Sequence, residues 1–267
     1  MTFQPILPVT GNAGWSFLRT TREAQQDAFN NSSVVSRDAD YFREKIGQIQ
    51  SAEELVADRR LLTVALGAFG LDEDINNKFY IKTVLEEGVI DPESFANRLT
   101  DKRYFALADA FAFDLSPPKS VLSDFPDKII EQFKERQFEV AVGNQDGDLR
   151  LALSIEREVD SIAEQGLSEN AAWFTIMGNA PLRRVFELAL GLPSEIATID
   201  LDRQLDVFID KAARVFGVSH PADFQEPELQ EKLIRNFLFR SELAASTAST
   251  ARGTVALSLL QAQAPLF

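Results

Sequence analysis

The residues that most often carry chemistry in proteins are scarce in this chain. It contains one histidine, His220, and no cysteine. The lack of cysteine excludes zinc–thiolate sites, iron–sulfur clusters, disulfides and thiol catalysis, and a single histidine excludes the two-histidine metalloprotease motif. Because His220 precedes Pro221, it is expected in an extended or turn conformation between two helices. We predict a structural or surface role for it, with general-base catalysis as the alternative.

Two short motifs resemble ligand-binding loops but lack residues that such loops require. Asn144-Gln-Asp-Gly-Asp148 has the alternation of a calcium loop, yet Leu149 stands where glycine is needed and Ile155 where glutamate is needed. We expect a helix-capping turn there, with Asp148 as the N-cap. Gly67-Ala-Phe-Gly70 lacks the lysine and hydroxyl residue of a phosphate-binding loop. Its glycines are expected to allow close helix packing or to end a helix.

No recognisable catalytic arrangement remains after these motifs. The chain has no Gly-x-Ser-x-Gly elbow to supply a nucleophile. Its acidic pairs, such as Asp72/Asp74 and Glu86/Glu87, are typical of solvated helix ends. A hydrolase that uses carboxylates alone stays open but has no support. We therefore predict no catalytic residue, no metal site and no cofactor.

Charge and hydropathy restrict the partners. With 27 basic and 41 acidic residues the formal charge is −14, which repels nucleic acid, and the basic pairs Arg59-Arg60 and Arg183-Arg184 are too short to offset it. The most apolar stretch, Leu61 to Leu71, has about half the length of a membrane span, and the N-terminus lacks a secretory signal pattern. We expect a soluble protein that binds neither nucleic acid nor membrane.

Hydrophobic periodicity predicts an all-α, multi-helix bundle. Ser51-Ala-Glu-Glu54 has the form of a capping box, and the helix after it is expected to end at Gly70. Sustained period-2 alternation is absent. The 21 phenylalanines indicate a core built from phenylalanine, with an aromatic ligand pocket as the alternative. The clearest helix covers 200–217, where one apolar stripe contains Leu201, Leu205, Phe208, Ile209, Ala212 and Phe216.

The sequence divides into a polar lead at 1–36, a helical body at 37–243 and a tail rich in Ala, Ser and Thr at 244–267. Leu61–Leu71 and Leu182–Leu192 are identical at five positions without a gap. This match suggests quasi-repeated halves, 37–115 and 145–243. Phe111 and Phe113 then match Phe237 and Phe239. The alternative is two similar amphipathic helices that each end in Gly-Leu.

Both terminal segments are candidates for partner binding. Trp15 lies in the polar lead and would be an anchor if exposed. In the tail, small residues follow a 4-3-4-3-4 spacing typical of a heptad seam, which consists of Ala244, Ala248, Ala251, Val255, Ser258 and Ala262. Such a seam buries little area, and Gly253 weakens the helix further. The tail is expected either to dock on its own domain or to pair with another chain, and we favour ordering upon assembly.

Four further sequence motifs are Tyr41-Phe-Arg-Glu-Lys-Ile46, Asp58-Arg-Arg-Leu-Leu62 with Ala68-Phe-Gly-Leu71, Phe138-Glu-Val-Ala-Val-Gly143, and Trp173-Phe174 with Pro181-Leu-Arg-Arg184. Together they resemble a helical family of alphaproteobacteria, a domain of unknown function often encoded among flagellar genes. The resemblance covers nearly the whole chain and carries no catalytic residues. It implies only a setting, that of a flagellum-associated component or accessory factor.

Without a signal pattern or a membrane span, we expect a cytoplasmic or flagellum-associated location. The terminal segments and this setting together make flagellar components or a second copy of the chain the expected partners.

Three functional hypotheses follow. The first is a non-enzymatic interaction component, structural or accessory to flagellar assembly, whose ends engage partners. The second is a cytoplasmic adaptor or chaperone-like protein that binds a partner helix in an apolar groove. The third is an enzyme of another type, which would require a deep polar pocket and a perturbed pKa.

Overall fold

The chain folds into helices joined by turns, as a computed structural model shows. The structure describes residues 3–262, except for the side chains of Ser194 and of residues 248–262. Over this range there are thirteen α-helices and five short 3-10 turns but no strand, so the all-α prediction is confirmed. The helices are α1 Gly11–Asn30, α2 Ser33–Lys45, α3 Ala52–Ala57, α4 Arg59–Phe69, α5 Lys78–Glu87, α6 Phe95–Arg98, α7 Lys102–Phe111, α8 Phe125–Gly143, α9 Gly147–Glu164, α10 Glu169–Gly178, α11 Ala180–Leu190, α12 Leu201–Phe216 and α13 Pro227–Ala262.

The chain forms two compact units. The first contains Met1–Ile6 and Arg19–Gln145, and the second contains Leu7–Leu18 and Asp146–Phe267. Residues 1–36 are therefore not a separate polar lead, as the composition suggested. They include the 20-residue helix α1, in which Trp15, Leu18 and Phe29 are buried in spite of the polar residues around them.

The first unit is built around α4, whose residues from Leu61 to Phe69 are buried except for Thr63. Helices α2, α3, α7 and α8 pack against it. The predicted capping box is confirmed, since Ser51 Oγ accepts from the Glu54 amide at 3.3 Å, although the Glu54 carboxylate accepts from the Gln50 amide. The helix after this cap is interrupted at Asp58, which caps α4 by accepting from the amides of Arg60 and Leu61.

Two of the motifs that carry the family resemblance, those beginning at Tyr41 and Asp58, are in contact at this cap. The Tyr41 hydroxyl donates to the Asp58 carboxylate at 2.7 Å, and the Arg60 guanidinium lies 4.6 Å above the Tyr41 ring. Arg60 Nε also donates to Asp38 at 2.7 Å. Desolvation acts to raise the pKa of Asp58, but the hydrogen bonds from Tyr41, Leu61 and Arg60 outweigh it and the pKa is lowered. These motif residues stabilise the start of the central helix.

The second unit is built around α11, against which α9, α10, α12 and α13 pack. Its core is a continuous series of aromatic contacts. Trp173 meets Phe186 edge-on at 5.6 Å, Phe186 meets Phe224 at 5.3 Å, and Phe224 meets Phe216 at 5.2 Å. Trp173 also contacts Phe208 at 5.9 Å. These phenylalanines pack helices together, as expected for a phenylalanine core.

The central helices of the two units end in the same way. α4 and α11 stop at Gly70 and Gly191, whose φ values are 68° and 67°, a left-handed conformation that glycine adopts without strain. A five-residue 3-10 turn then follows in each unit, at Asp72–Asn76 and Ser194–Thr198. A side chain at Gly70 would lie 3.0 Å from Arg136 of α8, and one at Gly191 would overlap Arg240 of α13.

A second parallel concerns aromatic pairs. Phe111 and Phe125 meet edge-on at 5.0 Å in the first unit, as Phe216 and Phe224 do at 5.2 Å in the second. This pairing aligns the end of α7 with the end of α12, unlike the sequence match of Phe111 with Phe237. The partner ring belongs to the first residue of α8 in one unit and to the 3-10 turn Pro221–Gln225 before α13 in the other. The parallels support duplication, which stays a prediction.

The Asp58 cap gives a pH-dependent prediction. Because its folded pKa is lowered, the ionised carboxylate stabilises the fold above about pH 4, the usual unfolded value, and this contribution disappears as the pH falls through the folded pKa. Asp58→Asn keeps an acceptor at the cap but loses the charge, so we expect it to lower the free energy of unfolding by about 1 kcal/mol at pH 7.

Urea unfolding of both proteins between pH 7 and pH 3 measures this effect. The difference between them should shrink towards acid pH, because the wild-type carboxyl then becomes neutral too. A difference that stays constant over this range would show that the charge of Asp58 contributes nothing to stability. Asp206→Asn, at an exposed carboxylate of α12, is the matched control.

Candidate partner-binding site

Helix α13 is the longest described helix and has two distinct parts. It begins at Pro227 and extends over 36 residues to Ala262. Its first part is buried against α11 and α9. The buried residues are Leu233, Ile234, Phe237, Leu238 and Ser241. Because they recur at intervals of three and four, they form one stripe that faces the core of the second unit.

Polar contacts hold this first part in place. The indole Nε1 of Trp15 donates to Glu231 at 3.0 Å, and Asn12 donates to the carbonyl oxygen of Arg235 at 3.2 Å. Further along the helix, the Ser241 hydroxyl donates to Asp148 of α9. Asp148 also accepts from Arg184 at 3.0 Å. α13 is thus anchored by hydrogen bonds as far as Ser241.

The second part of α13, from Phe239 to Ala262, is here called the distal segment. All its described residues except Ser241 are exposed up to Thr247. Phe239 is 60% exposed and Leu243 is 56% exposed. Four residues apart on a helix, these side chains lie on one face. An aromatic and an aliphatic side chain so exposed form an apolar surface on a fixed helix, and such surfaces serve to bind partners.

The predicted partner-binding residues differ in their exposure to solvent. Trp15 is 1% exposed and cannot be a surface anchor. The prediction was wrong because the segment around Trp15, although polar in composition, forms helix α1, and the Trp15 indole packs in the core. Ala244 is exposed. The other seam residues have a helical backbone, but the structure does not describe their side chains. These residues are Ala248, Ala251, Val255, Ser258 and Ala262.

Sequence analysis missed Phe239 as a candidate site residue. It had been assigned to a repeated Phe-x-Phe pattern, although its neighbour Phe237 is fully buried. The helical register could have identified it. Phe239 precedes Leu243 by four residues, and Leu243 precedes Thr247 by four, so the three side chains lie on one face of a helix.

His220 has a structural environment. Its Nδ1 accepts from the Ala222 amide at 3.0 Å, which caps the 3-10 turn Pro221–Gln225. Its Nε2 lies 3.0 Å from the carbonyl oxygen of Leu167 and donates to it. Both ring nitrogens are therefore engaged with backbone groups. These two contacts with the backbone are of the kind that a structural role requires.

The capping turn after α8 exists, but the prediction of its cap residue was wrong. Asp146 is the N-cap of α9 and accepts from the amides of Asp148 and Leu149, each at 3.0 Å. Asp148 lies two residues further on, in the first turn, where its carboxylate is free to anchor Ser241 and Arg184. Within residues 3–262, no group of three or more His, Asp or Glu side chains is placed to hold a metal ion.

Tyr104 is an ionisable group with a strongly perturbed pKa. Burial, followed by its 2.6 Å hydrogen bond to Asp74, raises this pKa well above the usual value. Tyr104 therefore stays protonated at neutral pH and provides no phenolate that could act as a general base. It packs edge-on against Tyr80 at 5.2 Å in a small core cluster. This environment favours a packing role.

Surface cavities in the described parts of the chain include one in each unit. An open one of about 550 Å³ in the first unit is lined by α1 and α8 and by five carboxylates, with the ion pair of Arg43 and Asp127 at 2.9 Å. One of about 320 Å³ in the second unit is lined by Phe174, Met177, Gly178 and Leu201. The second cavity is apolar, as a pocket for a partner's side chain would be.

Comparison with known proteins now defines the family. A family model described as "Protein of unknown function (DUF1217)" matches residues 68–229, more than half of the chain. The chain belongs to this family. The resemblance to a helical domain of unknown function is thereby confirmed, while its association with flagellar genes stays a prediction. No curated protein is similar enough to the chain to be matched.

The fold is also similar to that of a solved structure. The X-ray crystal structure of protein AGR_C_984 from Agrobacterium tumefaciens is similar to this DUF1217 protein with a TM-score of 0.70 and 25% sequence identity. The similarity covers 90% of this chain and 99% of that chain. Among the described residues no helix is both long and apolar enough to cross a membrane.

A substitution at His220 tests its structural role. His220→Ala removes the cap of Pro221–Gln225 and the bond to Leu167, so we expect the free energy of unfolding to fall by about 1–2 kcal/mol. His220→Asn retains a side-chain acceptor of the kind that caps helices well and should lose less. Urea denaturation of the three proteins measures the order. Equal stability of the alanine variant and the wild type would contradict the role.

Proposed function

We propose that this DUF1217 protein is a non-enzymatic interaction component and that the distal segment of α13 binds its partner. The observation that carries the proposal is the exposure of Phe239 and Leu243 on a helix whose preceding turns are firmly packed. Removing these side chains from water would contribute about 1–2 kcal/mol each.

The anchoring of α13 supports binding in a second way. A helix that is already ordered loses less conformational entropy on association than a segment that must fold first. The polar contacts of Glu231 and Arg235 fix the helix before the distal segment, and that of Ser241 fixes its first turn. A partner would therefore meet a preorganised helical face, the type of surface that recognises another helix or a groove.

The flagellum is the proposed setting. It is supported by the family membership together with the resemblance to proteins encoded among flagellar genes. In that setting the protein would act as a structural or accessory component of assembly. Its partner is then expected to contain a helix or an apolar groove that covers Phe239 and Leu243.

The apolar cavity of the second unit favours a second candidate function. Phe174, Met177 and Leu201 line it, and Leu201 is 51% exposed. Ile199, which is 41% exposed, lies close in sequence. An adaptor or chaperone-like protein could hold one apolar side chain of a partner helix there.

Site-specific photo-crosslinking in the native host separates the two candidates. A photoreactive amino acid would be placed at Leu243 in one protein, at Leu201 in a second and at Val34, an exposed residue of the first unit, in a control. We expect a crosslinked partner at Leu243, and none at Val34. A partner captured at Leu201 instead would favour the adaptor, and the absence of crosslinks at Leu243 and Leu201 would contradict the interaction hypothesis.

The identity of the crosslinked protein tests the setting. Mass spectrometry of the Leu243 adduct is expected to identify a flagellar component or the chain itself. A double variant, Phe239→Ser with Leu243→Ser, should abolish the adduct of a probe at the neighbouring exposed residue Thr247. A reproducible non-flagellar partner would keep the interaction function and remove the flagellar setting.

A further inference from the structure

We propose that the distal segment of α13 pairs with the distal segment of a second copy of this chain. The inference deepens the proposed function, on which it rests, by naming the partner. It starts from an equivalence between α8 and α13, the helices that pack against the central helix of each unit.

The equivalence is visible in sequence and in burial. Lys128-Ile-Ile-Glu-Gln-Phe-Lys-Glu-Arg136 of α8 aligns with Lys232-Leu-Ile-Arg-Asn-Phe-Leu-Phe-Arg240 of α13 without a gap. The aligned apolar residues, such as Phe133 and Phe237, are buried in both helices. Both segments end at the arginine that lies against the glycine cap of the central helix. The two helices therefore occupy the same position in their units.

Beyond this arginine the two helices differ. In α8 the next turns stay buried, and Phe138, Glu139 and Val142 are covered. Part of the cover is the second half of α1, since Phe29 meets Phe138 at 5.8 Å and Arg22 pairs with Glu135 at 3.8 Å.

Along α13 the corresponding cover ends earlier. The first residue of α1, Gly11, lies against the Glu242 carboxylate. Beyond that point the equivalents of Glu139 and Val142 are Leu243 and Ser246, and both are exposed. The equivalent of Glu135, whose carboxylate faces Arg22, is the exposed Phe239. No described helix of the second unit buries Phe239 and Leu243, so the occupant that fits is a helix supplied from outside the unit.

Charge favours a second copy as the source of that helix. All 41 acidic residues and 26 of the 27 basic residues lie before Leu243, which gives 26 − 41 = −15, and Arg252 is the single charged side chain after it. Two other charged residues of the distal segment, Arg240 and Glu242, lie against Gly191 and Gly11 of their own unit. Beyond Leu243 the segment therefore has only Arg252, and not the rows of flanking charges by which a helix selects a different partner. Arg252 is then the one like charge that opposes the approach of an identical segment.

The length of the distal segment keeps the acidic body of one copy away from the acidic body of the other. At 1.5 Å per residue, the 24 residues from Phe239 to Ala262 extend about 36 Å. In an antiparallel pair the strongly negative parts of the two chains lie at opposite ends of this length, which is more than three Debye lengths at 0.1 M salt. A two-fold pair also lets each copy contribute the same face.

Sedimentation of the full chain tests the proposal. We expect a monomer–dimer equilibrium between about 1 and 100 μM, a range suited to weak association. Phe239→Ser with Leu243→Ser should weaken the dimer by about tenfold or more. The matched control is Phe79→Ser with Ile90→Ser, because these residues are 85% and 67% exposed in the first unit, and its dimerisation should equal that of the wild type. Circular dichroism verifies that both variants fold.

The outcomes separate this inference from the function on which it rests. A monomer at every concentration, or a dimer that persists in the Phe239/Leu243 variant, overturns self-pairing. If the chain is a monomer and a Leu243 crosslink captures a different protein, the interaction function stands and the self-pairing does not. A Leu243 adduct with twice the mass of the chain, absent from the Phe239→Ser protein, supports both.

Discussion

The candidate site depends on the packing of α13 against α11. A helix of about twenty residues rich in Ala, Ser and Thr is marginal in water, because forming its first turn costs more than it gains. α13 avoids that cost, since its first turns are formed by buried residues such as Leu233 and Phe237. The distal segment continues an existing helix, and each further residue adds a backbone hydrogen bond without a new nucleus.

The polar contacts at the end of the anchored part determine where the surface begins. Ser241 donates to Asp148, which is itself held by Arg184. This arrangement satisfies a hydroxyl that is only 7% exposed, a group that would be costly to bury unpaired. Because the cluster fixes the rotation of α13 at Ser241, it also fixes the direction in which Phe239 and Leu243 point. The orientation of the site is thus a consequence of a buried hydrogen bond in the second unit.

Sequence patterns specified much of the helical framework. The stripe of α12 predicted its extent to within one residue at each end, because its polar and apolar residues separate by helical period. Local patterns failed where burial is decided by distant residues. Trp15 sits among polar neighbours and is buried by contacts with Glu231, more than two hundred positions away. Asp146 and Asp148 are equally suited to cap α9, and only the backbone at Asp146 decides between them.

The two units also suggest how a binding surface arises from a repeated architecture. In the first unit the last turns of α8 remain under the second half of α1, where Arg22 pairs with Glu135. In the second unit the first residue of α1, Gly11, lies against Glu242, and α13 continues to Ala262, beyond the position where α8 ends. Leu243 is exposed past this contact, and the residue aligned with Glu135 is the exposed Phe239. The earlier end of the cover and the replacement of a carboxylate by an aromatic ring act in the same direction, because an exposed apolar face is stabilised when another helix binds to it.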